Sequence, residues 1–346
     1  MSSLRAYLEL SRISNAPTVV SNVFAGAALG AYVGPAAISA WPVAASAVAC
    51  VAFYVAGMAL NDLFDRTTDA RERPTRPIPS GRVSASGAAI FATALIALGL
   101  AFLASTNVAA LLAGAALVGC ILLYDSIHLT HRWSVLVMGA CRGMVYVVAA
   151  LAIGADGRSW TFVGPTTILA VYVASFSVIA RREAGRVADV PPFSCASCGY
   201  PSSRDHGRCA ECGRDFGPSI PGSVRVGDPP HRGLLHASNL FLPLLCAAGL
   251  FLPISHFQPL APSRLPPTTV LATLVLFLFL VGWMITATQA VTRRPPAIGR
   301  AVTMWIAAIS LYDATLLVVL RELPLALAAA GCFALTRALQ RRIAGT

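Results

Sequence analysis

The chain has 346 residues, of which 56% are hydrophobic and only 12% are charged. A soluble domain carries about twice that charged fraction, so the composition excludes an ordinary soluble enzyme and predicts a protein that crosses the bilayer several times. The formal net charge is +11, and the sequence contains no lysine. Because the arginines flank apolar runs instead of covering one polar face, we do not expect nucleic acid as a partner.

Apolar runs long enough to cross a bilayer recur along the chain. They lie near 16–35, 38–60, 85–105, 107–124, 134–153, 161–180, 234–254, 268–290 and 300–320. A shorter run at 323–337 carries Pro324 at its start, so it is either a tenth span or a continuation of the ninth. We therefore predict an all-α polytopic membrane protein, a bundle of about nine transmembrane helices, with ten as the alternative.

Arginine is distributed unevenly between alternate loops. The loops after even-numbered spans are rich in it, most clearly 66–82, 181–186 and 293–300, whereas the opposite loops hold few arginines. The positive-inside rule then places the N-terminus and the loop after the second span in the cytoplasm. We expect an integral protein of the bacterial inner membrane that is surrounded by the lipid bilayer.

The second span runs directly into a polar stretch, Asn-Asp-Leu-Phe-Asp-Arg-Thr-Thr-Asp at 61–69. On a helix, Asp62, Asp65 and Asp69 are spaced i, i+3 and i+7 and share one face, with Asn61 at its edge. Carboxylates this close repel one another unless a cation holds them, and hard oxygen ligands suit Mg²⁺. The alternative is a loop whose aspartates simply pair with neighbouring arginines.

Five arginines lie within this stretch or directly after it, and the guanidinium group is well shaped for bidentate contacts with phosphate. They are Arg66, Arg71, Arg73, Arg76 and Arg82. A further arginine, Arg142, lies within the fifth span, where its cost in lipid indicates a polar cavity. Carboxylates for a metal and arginines for phosphate, at a membrane boundary, predict a site for a lipid diphosphate.

Other charged side chains lie within or beside the spans. Asp313 is inside the ninth span, where the same cost predicts that it faces the bundle interior and a partner. Arg12 opens the first span and either faces the polar cavity or anchors the boundary. Asp125 follows the fourth span and is a candidate for positioning an arginine. For His128 and His131 we favour a solvated or capping role over metal binding.

The sixth span ends in Arg181-Arg182-Glu183-Ala-Gly185. Glu183 is a carboxylate at a cytoplasmic helix end, like the first motif. It is a candidate for holding a second Mg²⁺ or for orienting Arg181 or Arg182. An ordinary cluster of boundary charges is the alternative.

One long polar segment interrupts the apolar chain and divides it into three parts. These are a first membrane part, 1–180, a cytoplasmic insert, 181–233, and a second membrane part, 234–346. The insert is rich in Pro, Gly and Ser and lacks the apolar residues for a core of its own.

Four cysteines organise the insert. Two CxxC-Gly knuckles, separated by ten residues, hold Cys195, Cys198, Cys209 and Cys212. This spacing predicts a zinc ribbon over 195–213, with four thiolates closing a tetrahedral Zn²⁺ site that is structural and not catalytic. Two disulfides or a redox CxxC are the alternatives, and both fit a reducing cytoplasm poorly.

The stretch 61–69, followed by Arg73-Pro-Thr-Arg76-Pro-Ile-Pro-Ser-Gly81, resembles the first signature of the UbiA-type intramembrane prenyltransferases. The amino-acid sequences of 72–81 and 182–185 are most similar to those of the EboC-like branch. The resemblance implies a helical bundle with a central cavity open to the lipid and two Asp-rich motifs that bind Mg²⁺ and an isoprenyl diphosphate. The chain departs from the family at the second motif, where Glu183 and the later Asp189 replace paired aspartates.

The resemblance implies a Mg²⁺-dependent prenyltransferase that moves an isoprenyl group from an allylic diphosphate to a small or lipophilic acceptor. The catalytic carboxylates would be Asp62, Asp65, Asp69 and Glu183, the first three as Mg²⁺ ligands. The diphosphate would be bound by Asn61, Arg73, Arg76, Arg142 and Arg182. The alternative is a non-catalytic lipid-binding or scaffolding protein that recruits a protein partner through its zinc ribbon.

Overall fold

The computed structural model describes residues 3–34, 36–155, 160–188, 193–194, 201–202, 266–292 and 297–343. For 3, 160–161, 182–188, 193–194, 201–202 and 292 it describes the backbone alone. The helices, in chain order, are α1 Ser3–Leu10, a 3₁₀ turn Ile13–Asn15, α2 Pro17–Val33, α3 Ala40–Phe64, α4 Arg66–Glu72, α5 Ala85–Ala104, α6 Val108–Ile127, α7 Ser134–Ala152, α8 Trp160–Ala188, α9 Pro267–Thr292, α10 Ile298–Val319 and α11 Leu323–Gln340.

Nine helical segments within these ranges are long and apolar enough to cross a membrane. Eight of the runs predicted from the sequence correspond to α2, α3 and α5–α10. The run at 323–337 is a separate helix, α11, with Pro324 in its first turn. The predicted span at 234–254 lies outside the described residues. The prediction of an all-α membrane bundle is therefore confirmed for the described membrane parts of the chain.

Polar side chains at the loops fix where helices begin and end. Ser84 caps α5 by accepting a hydrogen bond from the backbone N–H of Gly87 at 3.0 Å. Asn107 caps α6 in the same way, accepting from Ala110 N at 2.8 Å. The amide nitrogen of Asn107 also donates to the carbonyls of Leu151 and Ala152. One side chain thus satisfies the start of α6 and the end of α7, which holds these two helices in register.

Helix α2 lies at the centre of the bundle, against α3, α7, α8, α10 and α11. Small residues allow the closest crossings. A Cβ on Gly26 of α2 would lie 2.6 Å from the Tyr146 backbone on α7. Gly139 and Gly143, four residues apart on α7, face the backbone of α8 in the same way. This is the small-residue spacing by which helices pack in lipid.

The outer faces of the bundle are apolar. Large side chains such as Ile90, Leu112, Leu271 and Leu327 are more than half exposed. Contiguous apolar surface of this kind is uncommon on soluble monomers and is what a bilayer covers. Helix α10, by contrast, is almost wholly buried, and Asp313 on it lies inside the protein, whereas Arg300 in its first turn is exposed.

The predicted insert is described only in part. Helix α8 continues past the predicted boundary at 180 as far as Ala188. Beyond it, two short strands, Phe193–Ser194 and Pro201–Ser202, pair antiparallel on either side of the first CxxC. The four cysteines, Asp189 and the rest of the insert lie outside the described residues, so the zinc ribbon and the domain division stay predictions.

Candidate active site

The polar stretch after the second predicted span continues α3 almost without a break. Asn61 and Asp62 form the last turn of α3, Asp65 joins α3 to α4, and Asp69 lies within α4. The backbone N–H groups of Asp65 and Asp69 still bond four residues back, at 2.9 and 2.8 Å. The helical spacing that the sequence predicts for the aspartates is therefore largely kept.

Asp62 and Asp69 converge on one guanidinium group. Nη1 of Arg76 lies 3.2 Å from Asp62 and 2.6 Å from Asp69. Arg12 adds a second cation, with Nη2 at 3.0 Å from Asp62. The two carboxylate side chains are only 6% and 4% exposed, so their charges depend on these partners.

Arg12 was not among the predicted binding residues, and the sequence left open whether it faces the cavity or anchors the boundary. Its backbone is left-handed, with φ at 43°. A residue other than glycine adopts this conformation at a cost that surrounding contacts must offset. Here the Arg12 carbonyl accepts a hydrogen bond from the Tyr54 hydroxyl at 3.1 Å, and its guanidinium contacts Asp62. The turn thus directs Arg12 towards the aspartates.

Asp65 faces a different partner, His128 at the end of α6, at 2.9 Å. Asn61 donates to Asp125 at 3.2 Å and lies 3.4 Å from His128. Burial by itself lowers the pKa of His128, but the hydrogen bond and the charge of Asp65 outweigh it and raise the pKa above its ordinary value. The end of α6 therefore completes the polar cluster. The solvated role expected for His128 is wrong, because its side chain is buried against Asp65 and Asn61.

Among the described side chains, the other arginines predicted to bind the diphosphate make no ion pair with the aspartates. Arg73 is exposed at the end of α4. Arg142 contacts Thr18 and Asn22 on α2, at 3.0 and 3.1 Å, and not the aspartates. Arg182 and Glu183 belong to α8, but their side chains lie outside the described part of the chain.

The end of α8 nevertheless lies at this end of the bundle. Arg181 donates to the carbonyls of His131 and Arg132, in the loop between α6 and α7, at 3.0 and 3.3 Å. This loop follows His128 directly. Glu183 is two residues further along α8, so its backbone lies at the same end of the bundle as the first motif.

The prediction that Asp313 faces the bundle interior and a partner is confirmed. It is fully buried on α10 and accepts hydrogen bonds from Ser21, Asn22 and Tyr146, at 2.6, 2.8 and 2.5 Å. The cost of a carboxylate at membrane depth is what identified it in the sequence. Its partners on α2 and α7 could not be named from the sequence.

Whether these residues fit Mg²⁺ depends on their oxygen donors. Among the described residues, no three acidic, histidine or cysteine side chains form a ready metal cage. Mg²⁺ does not need one, because it keeps several waters and commonly takes one or two carboxylates together with substrate phosphates. Asp62 and Asp69 supply such carboxylates, and Oδ2 of Asp125 is buried without a hydrogen-bond partner in the described ranges. The donor set fits the metal once a phosphate is present.

The fold and this cluster define a class: a helical membrane protein with buried carboxylates and arginines at one end of its bundle. The UbiA prenyltransferase family model matches residues 19–194, which is about half of the chain. The chain belongs to the UbiA prenyltransferase family. The match covers α2 to α8 and the start of the predicted insert, and it ends before α9.

Curated relatives match shorter segments. A digeranylgeranylglyceryl phosphate synthase of Ignicoccus hospitalis is 49% identical over 96 residues, 28% of this chain and 30% of the relative. A mitochondrial 4-hydroxybenzoate polyprenyltransferase of Drosophila melanogaster is 33% identical over 125 residues, 32% of each chain. The chain thus spans about a third of the length of these relatives.

Solved structures show the same fold over nearly the whole chain. A UbiA homologue from Aeropyrum pernix has a TM-score of 0.59 at 19% identity, covering 88% of this chain and 98% of that one. A homologue from Archaeoglobus fulgidus, described as bound to GPP and Mg²⁺, has a TM-score of 0.55 at 14% identity, covering 91% and 99%. At these identities the likeness concerns the fold alone.

Proposed function

We propose that the protein is a Mg²⁺-dependent membrane prenyltransferase that moves an isoprenyl group from an allylic diphosphate to an acceptor. The observation that carries this proposal is the pair of buried carboxylates, Asp62 and Asp69, facing Arg12 and Arg76 in a chain of the UbiA family. One curated relative is named as a 4-hydroxybenzoate polyprenyltransferase and another as a digeranylgeranylglyceryl phosphate synthase. The structural neighbour with GPP and Mg²⁺ supports the same class of substrate.

In this proposal the stretch 61–69 binds the diphosphate. Asp62, Asp65 and Asp69 would hold Mg²⁺, which when bound stabilises negative charge on the departing pyrophosphate. Arg76 bridges Asp62 and Asp69 in the present arrangement, so it is placed to exchange a carboxylate for a phosphate oxygen when substrate arrives. Arg12 keeps Asp62 compensated during that exchange.

The chemistry is a substitution at the first carbon of the isoprenyl chain. The bond from that carbon to the diphosphate oxygen breaks, and pyrophosphate leaves with the electron pair. The allylic cation is captured by a nucleophilic atom of the acceptor, which forms the new bond and loses a proton. Surroundings that exclude water would protect the cation from hydrolysis, and fixed arginines would stabilise the developing charge.

The proposed role of the second motif in catalysis depends on Glu183. Should it replace the family's paired aspartates, Glu183→Gln is expected to lower turnover about 10²-fold while changing the dissociation constant of the diphosphate little, because its effect appears in the transition state. Single-turnover kinetics and equilibrium binding separate the two effects. Full turnover by this variant would place the second metal site elsewhere or remove it.

The proposal also covers the orientation of the protein in the membrane and its branch of the UbiA family. We place the N-terminus, the stretch 61–69 and the zinc ribbon in the cytoplasm, on the arginine asymmetry alone. The bacterial inner membrane stays a prediction, since the relatives include archaeal and mitochondrial proteins. Membership of the EboC-like branch is proposed from the amino-acid sequences of 72–81 and 182–185 alone.

The insert is proposed to bind one structural Zn²⁺ per chain through Cys195, Cys198, Cys209 and Cys212. Cys209→Ser is expected to lose the metal and expose the insert to protease, with the membrane bundle intact. Elemental analysis and limited proteolysis measure this. Protein that is purified without chelators and carries two CxxC disulfides in place of zinc would contradict it. Turnover retained by Cys209→Ser would show that the zinc ribbon is not needed for transfer.

Metal removal tests the proposed function directly. In detergent, the wild-type protein is expected to bind geranylgeranyl diphosphate with Mg²⁺, to lose this binding in EDTA and to regain it when Mg²⁺ is restored. Equilibrium binding of labelled diphosphate is the measurement. Equal binding with and without the metal would contradict the proposed role of the carboxylates.

A further inference from the structure

Three arginines lie together where the start of α10 meets the end of α11. Arg337 is in the last turn of α11 and Arg341 follows it by four residues, a spacing that places both side chains on one face. Gln340 lies between them and donates from its amide nitrogen to the carbonyl of Thr303 at 3.1 Å. Because Thr303 is one turn after Arg300 on α10, this hydrogen bond holds the end of α11 beside Arg300. Arg300, Arg337 and Arg341 form the arginine cluster.

The arginine cluster has no carboxylate to balance it among the described residues. The charges that act on Arg337 are those of Arg300 and Arg341, and both are positive. None of the three forms an ion pair in the described ranges. Arg300 and Arg341 are exposed, whereas Arg337 is half-buried, so its charge is partly removed from water. Like charges at this spacing repel one another, and an anion bound between them would relieve the repulsion.

Arg337 is held in one orientation by two neighbours. Its Nη1 donates to the amide oxygen of Gln340 at 2.7 Å, and its guanidinium carbon lies 5.1 Å from the centre of the Trp283 ring. The amide nitrogen of Gln340 already donates to Asn15 and Thr303, so its oxygen must face Arg337. The hydrogen bond to Gln340 uses one of the five N–H groups of the guanidinium, and the others have no partner among the described residues.

The surface beside the arginine cluster is apolar and rich in aromatic rings. Trp283 of α9 packs against Phe333 of α11 and Phe279 of α9, with ring centres 5.0 and 6.3 Å away. Phe279 and Leu335 are exposed on the outer face of the bundle. Aromatic rings of this kind lie at the interface between lipid headgroups and tails, and exposed apolar side chains of membrane helices contact the tails. This part of the protein therefore suits a ligand with an anionic head and an apolar tail.

The arginine cluster lies at the same end of the bundle as the stretch 61–69 but is separate from it. Gln340 donates to the side-chain oxygen of Asn15 at 2.9 Å, three residues after the Arg12 that contacts Asp62. In the described ranges, no arginine of the cluster pairs with a carboxylate of 61–69. In the proposed orientation this end faces the cytoplasm, where anionic lipids give the leaflet a negative surface. The anion for the cluster is therefore available in the bilayer itself.

We propose that Arg300, Arg337 and Arg341 bind the headgroup phosphate of one anionic phospholipid, whose acyl chains lie along the aromatic face of α9 and α11. A guanidinium presents paired N–H groups that match two phosphate oxygens. The headgroup carries a net negative charge, because the ammonium of a zwitterionic headgroup would be repelled by the same arginines. This site is distinct from that of the proposed function and does not depend on transferase activity.

The test titrates the delipidated full-length protein, in a nonionic detergent, with dioleoyl phosphatidylglycerol or dioleoyl phosphatidylcholine. The two lipids share their acyl chains and a phosphate and differ in net charge. Native mass spectrometry counts the bound lipids and gives their dissociation constants. One phosphatidylglycerol per chain is expected to bind at least about tenfold more tightly than phosphatidylcholine. Equal binding of the two lipids, including no binding of either, overturns the inference.

Substitutions then assign the preference for phosphatidylglycerol to the arginine cluster. Arg337→Gln is expected to abolish it, because this residue is the oriented and half-buried member of the cluster. Arg300→Gln and Arg341→Gln are each expected to reduce it about fivefold. These two residues are exposed, so their variants carry the test if Arg337→Gln does not purify. A full preference in all three variants overturns the inference.

Arg342→Gln is the matched control. Arg342 follows Arg341 directly and is exposed, but its charge is not among those that act on Arg337. The substitution removes one positive charge from the same end of α11 and should keep the preference for phosphatidylglycerol. A general attraction between a basic protein and anionic lipid would give equal losses in Arg342→Gln and in the variants of the cluster, which overturns the proposed site.

Two competitors separate a bilayer lipid from other sources of phosphate. Glycerophosphate offers the headgroup charge without acyl chains, and geranylgeranyl diphosphate in EDTA offers the charge of the proposed substrate. Neither is expected to displace phosphatidylglycerol from the wild-type protein. Displacement by glycerophosphate would make the cluster a site for a free phosphate, and displacement by geranylgeranyl diphosphate would assign it to the substrate. Either result overturns the inference.

Discussion

Asp65→Asn is expected to abolish Mg²⁺-dependent binding of geranylgeranyl diphosphate and to lower turnover by at least about 10²-fold. Asparagine keeps the shape of the side chain but removes the charge that a metal ligand supplies. The side chain of Asp65 is 14% exposed and contacts His128, so this charge lies in a partly desolvated site. Equilibrium binding in detergent with and without Mg²⁺ measures the effect, and circular dichroism checks the fold.

Glu72→Gln is the matched control for Asp65→Asn. Glu72 is the last residue of α4 and is exposed, one turn beyond the buried Asp69. The Glu72→Gln substitution removes one negative charge from the same segment and should leave Mg²⁺-dependent binding of the diphosphate unchanged. Unaltered Mg²⁺-dependent binding by Asp65→Asn would remove Asp65 from the site.

Arg76→Gln is expected to separate metal binding from catalysis. The substitution removes the cation shared by two buried carboxylates, so the protein without metal should be less stable. Mg²⁺ can then take the position of the lost charge, and the rise in melting temperature on adding Mg²⁺ should be larger than in the wild type. Turnover should nevertheless fall about 10²- to 10³-fold, because the arginine is missing when pyrophosphate departs.

Thermal unfolding in detergent with and without Mg²⁺, together with product formation, measures both effects. Arg66→Gln is the control, because Arg66 is exposed and its guanidinium donates to the carbonyl of Leu63. It removes one arginine from the same segment without exposing a carboxylate. A Mg²⁺ response in Arg76→Gln no larger than in the wild type would show that the metal does not compete with Arg76.

The helices could be predicted well because membrane spans leave a strong signal. Every run of apolar residues in the described ranges became a helix, since a backbone in lipid must satisfy its own hydrogen bonds. Helix ends were less accurate. The second span was placed at 38–60, but α3 runs on to Phe64, because the polar residues that follow the apolar run continue the helix.

The site was predictable in its residue types and not in its pairings. The spacing of Asp62, Asp65 and Asp69 gave a common face, but the partner of Asp65 is His128 on another helix. Such contacts join residues far apart in sequence and depend on how helices cross. Asp313 was placed inside the bundle by its cost in lipid alone, a rule that needs no knowledge of its partners.

The contact between Arg12 and Asp62 could not be predicted from the sequence. Its contact with Asp62 depends on a left-handed turn between α1 and the 3₁₀ turn, at a residue whose type does not favour that conformation. Arg73 and Arg76, three residues apart, looked equivalent. Arg76 lies against two aspartates, whereas Arg73 is exposed, because the chain turns after α4.

Lipid mass spectrometry of the products tests the central claim most directly. Purified protein is incubated with Mg²⁺, geranylgeranyl diphosphate and candidate acceptors, beside Asp65→Asn and a sample in EDTA. The wild type is expected to form a prenylated acceptor and release one pyrophosphate for each transfer, and both comparison samples are expected to form none. A wild-type protein that binds the diphosphate but never forms a prenylated product with any acceptor would contradict the assignment as a transferase and favour a lipid-binding or scaffolding protein.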